Sequence, residues 1–534
     1  MIQMKKLPIL ITLCFWAIMG YSQNTYLHTY HPEPDLEFGY AGEILKCKNG
    51  DQIFTSIYDD TIGSQNKNIL IVTRIDSTGN IVWNAALQEQ YDNPAKIFED
   101  LGGNLYFFIN NYIYACVVKI SATGQVIWSK HFSENSGFFD ALMLKTGEFV
   151  AVGEVFNQIG LKKEGYIVKI DQNGEILWEK STNFEEGGGA LTIINTEDGG
   201  MIIGGIRDGN VKFPGGSLFI AKIDLYGKLE WVNSLGYFNS FIRKILKTGP
   251  SNYTIVSSGL ASSSGANSHI LLTNIDDSGK INWSKRLPNS NGGQYLVFDA
   301  IMKKDELILT GIYLKLGPYN IFLLKTSLTG NINWLSIFSP SLSVMFNIQA
   351  NDYNGFLLSG VVEEVVNTSI YFPAVMKTDS LGQIPCLSEI DYNPPLQVVD
   401  YPVKVDSGGT LITLKNVAVL DTPIIRTDIT FTKKVICESN ATQNIQTKSF
   451  SLFRIYPNPA SSEVTIELTP EYQVYGTKLQ IEISDALGRR VYGIPISHYE
   501  KMVLPKGILS PGYYVVSVLV QGKVLQSQKL VVVE

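Results

Sequence analysis

Histidine and cysteine are scarce in this sequence, five of each among 534 residues. His28 and His31 are the closest histidine pair. They stand three apart in a strand-like run, so their side chains leave opposite faces and are not placed to share a metal. Charge is also sparse, at 17% Asp, Glu, Lys and Arg, and 43 basic against 50 acidic residues leave a net charge of −7. That balance gives no electrostatic basis for binding nucleic acid. Long apolar runs are absent after the N-terminus. The one run present, Leu7 to Ile18, follows Lys5 and Lys6 and precedes the small residues Gly20 and Ser22. This is the layout of a secretory signal peptide, assigned to residues 1–23 with cleavage near Ser22 or Gln23. The run is short for a membrane span, and Leu13 before Cys14 does not suit a lipoprotein. No G-x-S-x-G, H-E-x-x-H, P-loop or helix-opening G-x-G-x-x-G occurs. The expectation is an exported protein that is not an enzyme and needs no cofactor.

What the chain has is apolar residues (45%), 47 glycines, 27 tyrosines, 25 phenylalanines and a repeat. RIDSTGNIVW from Arg74 returns as KISATGQVIW, KIDQNGEILW, KIDLYGKLEW, NIDDSGKINW and KTSLTGNINW. The glycines are Gly79, Gly124, Gly174, Gly227, Gly279 and Gly330, with a seventh at Gly382, and the gaps between them are 45, 50, 53, 52, 51 and 52 residues. A period near fifty marks a propeller or solenoid. Six tryptophans (Trp83, Trp128, Trp178, Trp231, Trp283, Trp334) each lie four residues after a glycine, and the seventh copy carries Cys386 there.

Each unit reads as four strands. In the third, FDALMLK turns at Thr146-Gly147 into EFVAVGEV, a longer connection leads to YIVKI, and the DQNG turn leads to EILWEK. Aspartate accepts backbone N–H bonds in such a turn and glycine supplies its positive φ. The fold class is therefore all-β: a seven-bladed β-propeller over residues 24–390 with four-stranded blades. The tryptophans are read as blade-docking wedges. The seventh unit stops short at Pro385-Cys386, while TYLHTYH (Thr25 to His31) is a spare strand before the first unit. That strand is expected to complete the last blade and close the ring.

Residues 391–447 are less repetitive and read as a β-rich spacer or small module. Cys386 and Cys437 bracket it, and in an oxidising compartment a disulfide between them is expected. Cys47 and Cys116 lie in strand-like runs and read as small buried apolar residues.

From residue 448 a separate domain begins, with period-two strands joined by Gly and Pro turns. It reads as a small β-sandwich. Its markers are Tyr456-Pro457-Asn458-Pro459 before an alternating strand, the Asp485-Ala486-Leu487-Gly488-Arg489 turn, Gly512-Tyr513-Tyr514 opening a strand, and the final Lys529-Leu530-Val531-Val532. In these motifs the tail resembles the type A C-terminal sorting domain of the bacterial type IX secretion system. The resemblance implies the secretion machinery as partner, export across the outer membrane, removal of the tail, and surface anchoring or release in the manner of Bacteroidetes proteins. The docking phrase also resembles that of pyrroloquinoline-quinone-dependent dehydrogenases, most closely at Asp76 to Trp83. Those enzymes have eight blades and an adjacent-cysteine disulfide, and this chain departs from both.

The repeated aspartates Asp76, Asp171, Asp224, Asp276 and Asp379 lack the alternating oxygen ligands of a calcium loop and read as turn caps. Asp276-Asp277 is the one adjacent pair among them. Function is expected on the longer connections of one face, where aromatics (Tyr237, Phe238, Tyr313, Tyr319, Tyr371, Phe372) sit beside carboxylates (Asp59, Asp60, Glu185, Glu186). Such a surface suits a glycan or a protein partner. The alternative is a polysaccharide hydrolase or lyase whose loop carboxylates act as acid and base.

Overall fold

The computed structural model describes residues 25–33, 39–60, 67–88, 96–110, 113–157, 160–208, 216–236, 240–259, 269–287, 294–314, 320–338, 343–351, 355–363, 371–384, 398–403, 405–407, 410–413, 420–421, 425–427, 429–439, 453–468, 479–485, 489–496, 501–520 and 523–533. They form strands and turns and no helix, so among the described residues no helix is long and apolar enough to cross a membrane. The chain divides into two compact units, Met1–Asn444 and Ile445–Glu534.

The first unit is a β-propeller. Six of its repeat units each fold into an antiparallel sheet whose four strands pair in chain order, and the seventh supplies three strands of such a sheet. Numbered along the chain, sheets 1 to 7 begin with the strands Gly39–Lys46, Lys96–Glu99, Ser136–Met143, Gly188–Asn195, Ser240–Gly249, Gln294–Lys303 and Ser343–Ala350. The first strands of successive sheets pack side by side, and that of sheet 7 packs on that of sheet 1. An apolar cluster fills every junction. Ile53, Leu70 and Leu87 meet Phe107 and Val118 between sheets 1 and 2, and Tyr26, Val375 and Leu357 meet Phe54 and Ile71 between sheets 7 and 1.

The fourth strand of sheet 7 comes from the N-terminus: Thr25–Glu33 pairs antiparallel with Tyr371–Lys377, with Tyr26 opposite Lys377. The two ends of the repeat array are thereby joined by backbone hydrogen bonds.

The spacer is not a module of its own. Its strands run backwards round the rim and add a fifth, outermost strand to one sheet after another. Val399–Asp400 pairs with Ile281–Leu287 of sheet 5, Val405–Ser407 with Leu229–Leu235 of sheet 4, and Leu411–Thr413 with Ile176–Thr182 of sheet 3. Leu420–Asp421 then pairs with Val126–Glu134 of sheet 2, Ile425–Thr427 with Ile81–Gln88 of sheet 1, and Thr430–Ser439 with Thr25–Glu33 of sheet 7. An outer strand exposes a row of unpaired backbone groups, and this belt satisfies them. Cys437, on the last belt strand, is disulfide-bonded, and its expected partner Cys386 lies outside the described residues. Cys47 and Cys116 are buried thiols.

The second unit contains two antiparallel sheets. One holds Phe453–Tyr456, Val464–Leu468 and Lys501–Leu504, and the other Arg490–Ile496, Leu479–Asp485, Gly512–Val520 and Lys523–Val532. Residues of both, including Phe453, Ile466, Ile481, Val516 and Leu530, share one apolar core.

Candidate functional site

The recurring phrase is used between sheets. In each copy the aspartate or serine caps its own turn: Asp76 Oδ1 accepts from the backbone N–H of Thr78 (2.8 Å) and Asn80 (2.9 Å). The seven glycines all have φ between 75° and 84°. Each tryptophan reaches forward to the glycine of the next sheet. The ring of Trp83 lies over Gly124, Trp128 over Gly174, Trp178 over Gly227, Trp231 over Gly279, Trp283 over Gly330 and Trp334 over Gly382. The indole N–H of Trp83 donates to Ala122 O (3.1 Å) and that of Trp231 to Asp277 O (3.0 Å). At the closing junction, Tyr26 and His28 of the N-terminal strand cover Gly79 instead. The cation that opens the phrase pairs with the first hairpin of its own sheet, Arg74 with Asp51 at 2.8 Å and Lys222 with Asp198 at 2.5 Å. Asp277, the neighbour of Asp276, also pairs with Lys222 at 2.6 Å.

The expected loop site is largely used for internal packing where it is described. Tyr313 is not a loop residue: it lies within the strand Glu306–Leu314, and its ring packs 4.7 Å from Tyr295 in the core. Phe372 packs on His31 (3.8 Å between ring centres), and Glu186 pairs with Arg207 at 3.1 Å. Glu185 is exposed, Tyr371 half-buried, and Asp59 and Asp60 end the strand Gln52–Asp60. Tyr237, Phe238 and Tyr319 lie outside the described residues.

The polar side chains that do converge lie on the first strands. Sheets 3 to 7 each carry one extra residue there, where the register slips: Phe139, Leu191, Arg243, Phe298 and Phe346. In sheet 1 the slip spans Gly42 and Glu43. A bulge kinks the strand and re-aims the side chains beside it. The residue after each bulge is Asp140, Thr192, Lys244, Asp299 or Asn347, so the bulges set a polar layer at one level. A cavity of about 300 Å³ is lined by Glu43, Lys96, Lys244, Asp299, Asn347 and Gln349, with apolar neighbours. Residues from the first strands of five sheets share it, which only a position on the propeller axis allows.

Charge in this layer is paired. Lys96 makes an ion pair with the buried Glu43, and Lys244 Nζ lies 3.8 Å from Asp299 Oδ1. Asp299 also accepts from the N–H of Ala300 (2.9 Å) and of Ile348 in the next sheet (3.1 Å). Asp140 does the same with Ala141 N (3.0 Å), Thr192 Oγ1 (2.9 Å) and Ile193 N (3.2 Å). Burial pushes Lys244 toward its neutral form, but Asp140, Asp299 and Glu43 outweigh it and hold the ammonium above its ordinary pKa. Burial raises the Glu43 carboxyl above its usual range even against Lys96 and Lys244.

Arg243 is different. Its guanidinium carbon stands 5.8 Å from the ring centres of both Phe241 and Phe298, and Phe298 packs 5.3 Å from Phe346. Its Nε is buried with no hydrogen-bond partner, and among the described residues no carboxylate pairs with it. Burial alone acts on it and lowers its pKa. The sequence does hold a trace of this layer, in Phe139-Asp140-Ala141 and Phe298-Asp299-Ala300.

In the second unit the tail markers tie the strands together. Asn458 Nδ2 donates to Lys529 O (2.6 Å) and its Oδ1 accepts from Val531 N (3.0 Å). Tyr456 OH donates to Glu467 (2.8 Å), and Lys529 Nζ lies 4.3 Å from the centre of the Tyr513 ring. Pro457 and Pro459 both follow cis peptide bonds. Gly512 opens its strand, and Gly488 lies outside the described residues. Residues 454–533 match the secretion system C-terminal sorting domain. The sorting domain points to export and attachment at the cell surface. It covers the tail and carries no statement about the propeller's ligand.

No curated protein matches the chain. Among solved structures it is similar to the Pyrococcus horikoshii acylaminoacyl peptidase (11% identity, TM-score 0.35), covering 61% of this chain and 49% of the peptidase. It is also similar to the phage phi92 endosialidase (10% identity, 91% and 88% covered, TM-score 0.34) and the Vanderwaltozyma polyspora Nup133 β-propeller domain (8% identity, 63% and 100% covered, TM-score 0.29). Likeness at this level assigns no activity to the chain, which spans only about half of the peptidase.

Proposed function

We propose that the protein is an exported seven-bladed propeller that binds a glycan or protein ligand outside the cell, and that it is not an enzyme. The type IX secretion system would deliver it through a β-sandwich sorting domain that is then removed. The observation behind the binding reading is the axial channel. It offers a cavity and a polar layer on rigid strands, with Phe139, Phe298 and Phe346 at the bulges of those strands, the kind of surface that orients a ligand. Its aspartates are spent on backbone amides of neighbouring sheets and on Lys244, which leaves them poorly placed to exchange protons with a substrate. The alternative, a hydrolase or lyase, draws on Glu43 and Asp299 lining one cavity, with Glu43 raised toward the range of a general acid. The two readings separate in one experiment. The exported protein is incubated with plant, algal and bacterial polysaccharides, and retention and new reducing ends are read from the same samples. Retention without new ends is the expected result. New ends that vanish in Glu43→Gln would establish the alternative.

A further inference from the structure

A guanidinium that is mostly buried and unpaired is costly to keep, since a buried charge is normally matched by an opposite one. Arg243 has no such match, whereas Glu43, Lys96, Lys244 and Asp299 are paired with opposite charges and Asp140 is held by hydrogen bonds. The rings of Phe241 and Phe298 both stand 5.8 Å from the Arg243 guanidinium. Phe346 extends the apolar surface into sheet 7, and Phe139 (39% exposed) and Phe241 (46% exposed) are open to solvent on the same kind of strand. These first strands therefore combine one planar cation that no carboxylate among the described residues pairs with, and flat apolar faces. A guanidinium fork matches the two oxygens of a carboxylate or sulfate group. Aromatic faces match the C–H face of a pyranose ring.

We infer that Arg243 and the phenylalanines around it form a binding site for an acidic sugar, whose anionic group takes the guanidinium while its ring lies on Phe241 or Phe298. This rests on the reading of the channel as a ligand site and adds the class of ligand. Such an anion would supply the countercharge that the chain itself withholds. The neighbouring Glu43, Asp140 and Asp299 do not block it, because Lys96, Lys244 and backbone amides already hold them.

The test uses the whole exported protein and calorimetric titration with tetragalacturonate, a sulfated galactan oligosaccharide and neutral cellotetraose. Binding of an acidic oligosaccharide with at least about tenfold preference over the neutral one is expected, as for a hydrogen-bonded charge pair. The galacturonate and sulfated arms decide which anion the fork prefers. Arg243→Met should weaken acidic binding about 10- to 100-fold, Arg243→Lys less, because the charge stays while the fork is lost. Phe241→Ala, at an exposed position where folding is not at stake, should weaken it several-fold. Near-ultraviolet circular dichroism checks that each variant is folded. Acidic binding unchanged in Arg243→Met would overturn the assignment. So would equal binding of cellotetraose insensitive to Arg243, which would leave the channel a sugar site of another kind. A folded protein that binds none of the three overturns the acidic-sugar assignment. The channel's role as a ligand site then stands or falls with the polysaccharide retention experiment.

Discussion

Glycine in the tight turns of these sheets does two jobs, and substitution can separate them. Gly50 and Gly279 both have positive φ, +92° and +79°, but a methyl group on Gly50 meets nothing within 4 Å while one on Gly279 would stand 2.8 Å from the Trp231 ring. Gly50→Ala should therefore cost only the left-handed backbone strain, about 1 kcal/mol. Gly279→Ala should cost that and the displacement of the docked indole, about 2–4 kcal/mol in all. Urea unfolding of the two variants measures the difference, and equal losses would remove the docking role from the glycine. His28 is the residue where pH should be felt. It is fully buried against Tyr26 (4.2 Å between ring centres), with neither ring nitrogen hydrogen-bonded. Burial first, and Lys433 second, lower its pKa from 6.5 to about 4, against Asp76. Glu438, 3.6 Å away and partly exposed, does not reverse this. Below pH 6.5 the unfolded chain takes up a proton that the folded chain refuses until about pH 4. The stability contributed by neutral His28 is thus complete above 6.5, falls as the pH drops, and levels off below 4, a loss of about 3 kcal/mol. The drop in unfolding free energy from urea titration between pH 7.5 and 4.5 should be smaller in His28→Leu than in the wild type by about that amount.

At the scale of elements, what could be read from the chain and what could not follow from how each strand is specified. The four-stranded sheets announce themselves, because all but two of their strands run seven to ten residues and the third strand of each ends in an Asp-x-x-Gly or Ser-x-x-Gly turn. The closing strand was legible for another reason: the seventh unit stops short at Pro385-Cys386 while the run Thr25 to His31, within the strand Thr25–Glu33, is spare. The belt was not. Its first five strands are two or three residues long, too short to show a period, and their partners lie 100 to 350 residues away in the chain. Only the pairing edges of the sheets specify them. The axial layer was hidden by the bulges: one extra residue breaks the alternation where Asp140, Lys244 and Asp299 stand, so the pattern reads as an irregular strand. The belt carries its own prediction. Its last strand holds Cys437, and peptide mapping without reductant should recover Cys437 joined to Cys386. That bond would close a loop of about 50 residues spanning the belt, and Cys437→Ser should lower stability by about 4 kcal/mol. Reductant should have the same effect on the wild type and none on the variant. A crosslink to any other cysteine would overturn the pairing.

At the scale of the whole molecule, two cores imply two cooperative units. The propeller buries its apolar clusters between sheets and the sorting domain buries its own between two smaller sheets. The propeller's closure depends on a strand that is paired on both sides by late parts of the chain: Thr25–Glu33 sits between Tyr371–Lys377 and Thr430–Ser439. No stretch ending before residue 439 contains all of that sheet. Removal of residues 445–534 should therefore leave the propeller's calorimetric transition within about 3 °C of its position in the whole chain, since no pairing partner is lost. Removal of residues 1–33 should do the opposite. It strips Tyr26, Leu27 and Tyr30 from the clusters that join sheet 7 to its neighbours and exposes two strand edges at once. The cost of the apolar area alone, three large side chains at about 2 kcal/mol each, is comparable to the whole stability of a domain. The expected trace is a broadened transition at much lower temperature, or none. A sharp transition retained without the N-terminal strand would show that the ring holds by the other six junctions. A large shift on losing the tail would show that the sorting domain stabilises the propeller.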